Sequence, residues 1–458
     1  MTPGRLELPA DSGVPELARR IEAAGGRIVV VGGWVRDALR GQPSHDLDLE
    51  VFGLADEAIE PLLEGLGFSP RVGRQLPIWR RGRDGLDLAF PRAGADAYHP
   101  ERPESLAEAF RAAARHRDLR LNAIGWDPLT GALIDPYEGL ADLAAKRLRA
   151  VDPETFPADP LRLLRVARFA ALLEAEPDAA LAALCRVLPL ENVALERVGG
   201  ELRRMLLDPA RPSRAFALLA ELDRLDGLAP IARLVGVPQD PVWHPEGDVF
   251  IHTLMVVDRA REIAATLDSR EGEILMLSAL CHDLGKPETT TVEAGRVRAL
   301  AHEGASARRT RDWLVRLRFP DRLVRTVDVL VARHLAPSQL VAQGSGPRAY
   351  RRLARKLAEG SASLIQLERL ARADHLGRTT SEALAGSFAA GPAFLAAAEA
   401  AGVLDAPRPD VVVARDLIAR GVAPGPELGR CLRRCREIED ETGWDDPERI
   451  LARCLGGR

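Results

Sequence analysis

The chain is poor in aromatic residues, in cysteine and in long apolar runs. Only 4% of its 458 residues are Phe, Trp or Tyr, too few for a surface that grips nucleic acid mainly by stacking bases. Five cysteines (Cys185, Cys281, Cys431, Cys435 and Cys454) are odd in number and form no C-x-x-C pair. That excludes a disulfide framework, and they read as reduced thiols of a cytoplasmic protein. No run of about 18 apolar residues occurs, and the opening MTPGRLELPADSG has no apolar stretch of the signal-peptide kind, so neither membrane insertion nor secretion is expected. Charge of one sign is lacking too: 63 Lys and Arg face 67 Asp and Glu, a net charge of −4. Any contact with a polyanion must rest on local patches. What is present is ordinary for globular domains, with 46% hydrophobic and 28% charged residues and chain enough for about three of them. No internal repeat or low-complexity block interrupts it.

The most informative stretch is VVVGGWVRDALRGQPSHDLDLEVF, Val29 to Phe52. Apolar β-branched residues from Ile28 to Val31 predict a buried strand. Gly32 and Gly33 then bare the backbone, and Trp34 to Arg40 predicts a short helix with Arg36 in its first turn. A glycine turn feeding a helix start lets backbone N–H groups hold phosphate oxygens. His45 to Phe52 alternates strictly, placing Asp46, Asp48 and Glu50 on one face of a second strand. Carboxylates two apart on a strand lie roughly 7 Å apart and repel one another. Divalent cations such as magnesium would remove that repulsion; a solvated strand face is the plain alternative. A phosphate cradle joined to a metal-binding pair by one short helix makes the two halves of a nucleotidyl-transfer site.

Val14 to Ala24, ahead of the first strand, and a segment near Ala55–Gly65 after the second predict helices, while Leu76–Arg80 and Gly85–Phe90 predict strands. Asp87, in GLDLAFPR, is a candidate third carboxylate, with Glu50 its rival. Ala93 to Pro103 is loop-like, Ser105 to Arg115 a helix, and WDPLTGALIDPY (126–137) a hairpin turn. HRDLRLNA (116–123) carries Arg117 and Asp118. In ADPLRLLRVARFAALL (158–173), Asp159, Arg162 and Arg165 recur every third residue, which predicts one helix face. Glu196–Leu207 and GSGPRAYRRLARK (344–356) offer basic residues for RNA or simply solvated faces. Six of the nine histidines fall between Pro241 and Arg378. They include His252 in VFIHTLMVVD, His282 with Asp283 in ALCHDLGKP, His302 in AHE, His334 in ARHL and the His beside Asp374 in ARADHLGR. Imidazoles and carboxylates in such a series suit a divalent transition metal.

GGWVRD followed by HDLDLEVF resembles the head of the class II tRNA nucleotidyltransferase and poly(A) polymerase family within the polymerase β superfamily. HRDLRLNA is similar to that family's RRDFTINA, and Ala158–Asp159 with Arg162 to its EDxxR. The H…HD…H…H…D series resembles the HD phosphohydrolase superfamily. Together the resemblances cover nearly the whole chain. They imply an α/β head (1–145), an all-α neck (146–228), an HD body (240–400) and a helical tail (405–458).

The head would use Mg2+ on Asp46 and Asp48, with Asp87 or Glu50 as a third carboxylate. Gly32, Gly33, Arg36 and Arg117 would hold the triphosphate, and Asp118 the ribose. Asp159 and Arg162, assisted by Arg165, would select the base. Cytosine and adenine both set an amino donor beside a ring-nitrogen acceptor, which an Asp–Arg pair matches and guanine and uracil do not. CTP, ATP and tRNA are the implied partners. In the HD body, His252, His282, Asp283 and Asp374 would hold Ni2+, Mn2+ or Co2+, with His302 and His334 auxiliary. Its implied substrates are 2′,3′-cyclic or terminal 3′-phosphates on RNA. Three readings stay open: CCA addition to tRNA, poly(A) synthesis, and a phosphohydrolase whose head only binds RNA. An inactive HD scaffold is a further alternative.

Overall fold

The computed structural model describes residues 6–9, 12–42, 47–54, 56–71, 78–81, 86–91, 98–99, 101–102 and 104–456. The chain divides into two compact units, Met1–Glu191 and Asn192–Arg458. The division falls inside the neck expected at 146–228, so that segment is shared between the units rather than forming one of its own.

The first unit is built on a mixed sheet. Its strands are β1 (Arg27–Val31), β2 (Asp48–Phe52), β3 (Ser69–Arg71), β4 (Ile78–Arg81), β5 (Leu86–Ala89), β6 (Gly125–Trp126) and β7 (Leu133–Ile134), in the order β3-β4-β5-β2-β1-β6-β7. β2 runs antiparallel to β1 and parallel to β5. β1 is apolar on both sides because both faces of the sheet are covered. Ile28 and Val30 join Leu49, Val51, Leu86 and Leu88 under the helix Val14–Ala23. Val29, Val31 and Phe52 pack with Phe110 of the helix Ser105–Ala114. Period-two alternation then fixes the carboxylates: Leu49 and Val51 are buried in the first layer, so Asp48 and Glu50 share the face of Val29 and Val31. β6 and β7 form the hairpin expected between Trp126 and Tyr137. Its turn is tied by Asp127, which accepts from the Leu129 and Thr130 amides and pairs with Arg27 at 2.8 Å.

The second unit is helical apart from the hairpin Thr290–Glu293/Arg296–Ala299. The helices Val249–Ala264, Ser269–Cys281, His302–Arg316, Asp321–Val331 and Leu364–Leu376 surround a polar centre. Two glycines set its dimensions. A β-carbon on Gly377 would lie 2.8 Å from the Val256 amide nitrogen, and one on Gly285 2.4 Å from that of Ser306. Only bare backbone permits these approaches, which draw Asp374 and Asp283 inward. The last helices, Pro426–Thr442 and Pro447–Leu455, close a small apolar core around Val412, Leu417, Cys435 and Ile438. Arg355, on the helix Pro347–Glu359, is bound to Asp410, Glu439 and Asp440. That basic segment is thus partly a packing surface. In the helix Leu195–Leu207, Arg203 pairs with Glu273 at 2.6 Å. Among the described residues, no helix is long and apolar enough to cross a membrane.

Candidate active sites

In the head, the register sets Asp48 directly opposite Val31 on one side and Asp87 on the other. Asp48 and Asp87 are therefore side by side at one end of the sheet. The turn after Val31 brings Gly32 against Asp48 with φ 76° and ψ −143°, a conformation open to glycine. A β-carbon there would lie 3.1 Å from Asp48 Oδ2 and 3.8 Å from Arg117 Nη1. Gly32 thus keeps the backbone close to the carboxylate while leaving the approach clear. Asp87 Oδ1 is buried without a hydrogen bond, although Arg80 Nε stands 3.4 Å away. Glu50 is differently placed: Arg117 Nη2 donates to its Oε1 at 2.6 Å, and its other oxygen is buried without a hydrogen bond. Of the two candidate third carboxylates, the register puts Asp87 beside Asp48 and leaves Glu50 paired with Arg117. Asp46 lies outside the described residues.

Among the other head candidates, Arg36, Asp118 and Arg165 form one network through Asn122. Arg36, 5% exposed, chelates Asp37 through Nε and Nη2, donates to Asn122 Oδ1 at 2.7 Å and stacks on Phe169. Asp118 accepts from Asn122 Nδ2, the Leu119 amide and Arg165 Nε, the last at 2.6 Å. Burial alone would raise the Asp118 carboxyl, but the Arg165 guanidinium and these hydrogen bonds outweigh it and hold it below the usual carboxylate range. These contacts make Arg36 and Asp118 the joint between the GG-x-V-R-D segment and the helix Arg162–Leu173.

That helix corrects one expectation. It starts at Arg162, and Asp159 precedes it in an extended conformation (φ −131°, ψ 100°), its Oδ1 capping the Leu161 amide at 3.2 Å. Asp159 stands before Pro160, whose ring disfavours helical backbone in the residue ahead of it. Only Arg162 and Arg165 share the helix. Arg162 donates to the carbonyls of Thr155, Phe156 and His116.

In the second unit, all six expected residues converge. His252 sits in the first turn of its helix, which Asp248 caps. His282 and Asp283 follow the end of Ser269–Cys281, His302 opens the next long helix, His334 lies in the turn after Val331, and Asp374 is near the end of Leu364–Leu376. His252 Nε2 is 3.1 Å from Asp374 Oδ1 and 3.9 Å from Asp283 Oδ2. His282 Nε2 is 3.0 Å and His302 Nε2 3.3 Å from the Asp283 oxygens, and His302 and His334 face each other, Nε2 to Nε2, at 3.3 Å. The Nδ1 atoms of His282, His302 and His334 each lie 2.8 Å from a backbone carbonyl, of Ala279, Ala299 and Val331. A carbonyl only accepts, so Nδ1 holds the proton and Nε2 points its lone pair inward, the tautomer a metal ligand needs. Burial, with His282 and His302 nearby, pushes the His334 imidazole down to about 3, so it is neutral. His282 Nε2 and Asp283 Oδ1 are buried with no hydrogen-bond partner, and His252–His282–Asp283 and Asp283–His302–His334 each cluster tightly enough for one ion. Nitrogen and carboxylate donors with unsatisfied lone pairs aimed at a common centre fit a divalent cation.

Residues 28–149 match the poly A polymerase head domain family, and residues 249–378 match the HD domain family. The multifunctional CCA protein of Cupriavidus necator is 35% identical over 400 residues, 83% of this chain and 92% of that protein. The one from Halorhodospira halophila is 35% identical over 434 residues, 89% of this chain and 95% of its own. The chain belongs to the multifunctional CCA protein family. A CCA-adding enzyme solved with CTP shares its fold at a TM-score of 0.62 and 18% identity, covering 98% of this chain and 96% of that one. The Thermotoga maritima CCA-adding enzyme complexed with tRNA does so at 0.57 and 17%, over 97% and 96% of the two chains.

With this CCA-family chain folded, several residues matter that the motifs did not single out. Glu246 Oε1 lies 2.8 Å from His252 Nδ1 and 2.9 Å from His244 Nδ1, while its other oxygen accepts the Thr379 amide. It orients His252 from behind, as the carbonyls do for the other imidazoles. Lys286 Nζ is 2.7 Å from Asp283 Oδ2 and donates to Gln239. Arg378 stands 3.4 Å from Asp374. The sequence signal was there in HPEGDVFIH, where two histidines flank a Glu, and in the Lys of HDLGK.

Proposed function

We propose that this enzyme adds CMP and AMP, without a template, to the 3′ end of tRNA, and that its HD body hydrolyses phosphate esters at RNA ends. The observation that carries the first activity is the Asp48–Asp87 pairing beside the Gly32–Gly33 turn. Two adjacent carboxylates next to bare backbone at a helix start give a triphosphate and a pair of divalent cations one shared place. The buried, unbonded oxygen of Asp87 fits that assignment. Magnesium on Asp46, Asp48 and Asp87 would supply the charge that activates the RNA hydroxyl and stabilises the leaving pyrophosphate. Gly32 and Gly33 present amides to the phosphates. Arg117, anchored by Glu50, contributes positive charge beside them, and Arg36 and Asp118 hold the cradle in register with the neck helix. Asp159 and Arg162 select C and A by accepting from the amino group and donating to the ring nitrogen. Arg162 must exchange its backbone carbonyls for the base to do so. The head's intact register weighs against a purely RNA-binding role.

In the HD body, His252, His282, Asp283 and Asp374 would hold one divalent transition metal, with His302 and His334 for a second ion or a phosphate. The metal would supply Lewis acidity toward the phosphorus–oxygen bond. Lys286 and Arg378 bring positive charge to the bound phosphate, and Glu246 keeps His252 in its ligating orientation. The experiment is incorporation of each labelled NTP on three tRNA transcripts ending before CCA, after C and after CC, alongside phosphate release from RNA ends. Ordered use of CTP, CTP and ATP supports the reading. Extension by ATP alone, whatever the end, moves it to poly(A) synthesis.

A further inference from the structure

Trp243 is 62% exposed, in a chain with few aromatics, and it lies on the wall of the HD pocket. That cavity, of about 230 Å³, is also lined by Asp283, Lys286, His302, Arg298 and Arg378. An exposed indole is costly to solvate and contributes little to folding. Yet the segment carrying it is tied to the metal centre at both ends. On one side Gln239 accepts from Lys286 Nζ at 2.7 Å. On the other, Glu246 is bonded to His252 and to the Thr379 amide. Between them Asp240 closes a turn, its carbonyl accepting from the Trp243 and His244 amides and its carboxylate from the Val242 amide. The segment carrying the indole is therefore anchored to the ligand His252 at one end and, at the other, to Lys286, which pairs with the ligand Asp283.

We infer that Trp243 is the base-stacking residue of the HD site, so that the pocket recognises a terminal nucleotide rather than a bare phosphate ester. This rests on the phosphohydrolase reading and assigns the residue that holds the base of its substrate. The inner end of the pocket is cationic around the metal-binding carboxylates and takes an anion. The rim offers a flat apolar face beside the exposed Arg298. A ligand that is anionic at one end and planar at the other fits such a wall, and a terminal nucleotide carrying the phosphate of the phosphohydrolase reading is one. Stacking alone accepts any base, so the site discriminates nucleotide from non-nucleotide and not one base from another.

The test uses the full-length protein loaded with nickel. Binding of adenosine 3′-monophosphate, uridine 3′-monophosphate and β-glycerophosphate is measured by calorimetry in wild type, Trp243→Ala and Trp243→Phe. Trp243→Ala should weaken both nucleotides by about 10- to 100-fold without weakening the glycerol ester, and Trp243→Phe should retain most of the affinity. Equal nucleotide affinity in wild type and Trp243→Ala overturns the inference. So does an equal loss for the glycerol ester, which would mean that the change disturbs the metal centre. Phosphate release from a 3′-phosphorylated RNA end by the wild type reports on the phosphohydrolase reading separately: nucleotide binding that depends on Trp243 without phosphate release would overturn that reading and leave the stacking assignment standing.

Discussion

Replacing Asp87 by Asn isolates the electrostatic heart of the head. Adjacent strands lie about 4.8 Å apart, and the register sets Asp48 and Asp87 directly across that gap, whereas Asp48 and Glu50 are separated by about 6.8 Å along β2. Two catalytic cations sit roughly 3.5–4 Å from each other, so the closer pair matches the spacing and the other does not. Glu50 is also already neutralised by Arg117 at 2.6 Å. Asn keeps the shape of Asp and its place beside Arg80 but removes the charge. A loss of about 3–5 kcal/mol of transition-state stabilisation lowers turnover by roughly 10²- to 10⁴-fold. Glu50→Gln should instead weaken Arg117's anchor by about 1–3 kcal/mol, read as a lower melting temperature and a higher KM for CTP with modest change in kcat. The assay is single-turnover CMP incorporation into a tRNA lacking CCA, across a magnesium titration, with thermal unfolding of both variants. Near wild-type turnover in Asp87→Asn, together with an inactive but folded Glu50→Gln, would refute the assignment.

Three further outcomes follow from the same geometry. Asp118→Asn should cost about 2–3 kcal/mol at pH 7, because it removes the buried charge that Arg165 Nε, Asn122 Nδ2 and the Leu119 amide donate to; as a carboxyl held below its unfolded value, Asp118 stabilises the fold above that value, about 3.9, and loses this as pH falls through its depressed folded value. The gap between variant and wild type in urea unfolding should therefore close in acid, and a constant gap would mean that charge is not the cause. Asp159→Ala or Arg162→Ala should relax discrimination against UTP and GTP by about 1–3 kcal/mol each, and the Arg162 variant should also lose stability through its three carbonyl bonds; unchanged NTP preference would make the pair structural. His282→Ala should lower bound nickel, manganese or cobalt in elemental analysis and abolish ring opening of 2′,3′-cyclic ends and phosphate release from terminal 3′-phosphates, while CMP incorporation persists; full metal content in the variant would remove His282 from the ligand set.

The parts legible in the sequence are those where one local rule decides. Alternation alone put Asp48 and Glu50 on one face of β2, and the burial of Leu49 and Val51 follows the same period. The six HD candidates were legible through the resemblance of their H…HD…H…H…D series to the HD superfamily, and the fold brings them together. Choosing Asp87 over Glu50 was not legible, since it depends on β5 lying parallel beside β2, a pairing made across 39 residues that no alternation encodes. The role of Glu246 was not legible for the same kind of reason, although HPEGDVFIH was in view: it acts only through a turn that folds back on His252. Asp159 is a different case, because Pro160 was in plain view and forbids the helical geometry that the three-residue spacing suggested. The consequence is mechanistic. A carboxylate outside the helix, on a segment whose backbone is extended, can be re-aimed without unwinding a turn, whereas Arg162 and Arg165 are fixed to the helix axis. If the pair must fit cytosine twice and then adenine, the adjustable member is Asp159. Shifting that residue alone, by Pro160→Ala, should broaden the range of NTPs accepted before it reduces the rate with CTP. Measured NTP preference decides this: a variant that loses rate with CTP and keeps its selectivity would show that the segment before the helix does not set the base.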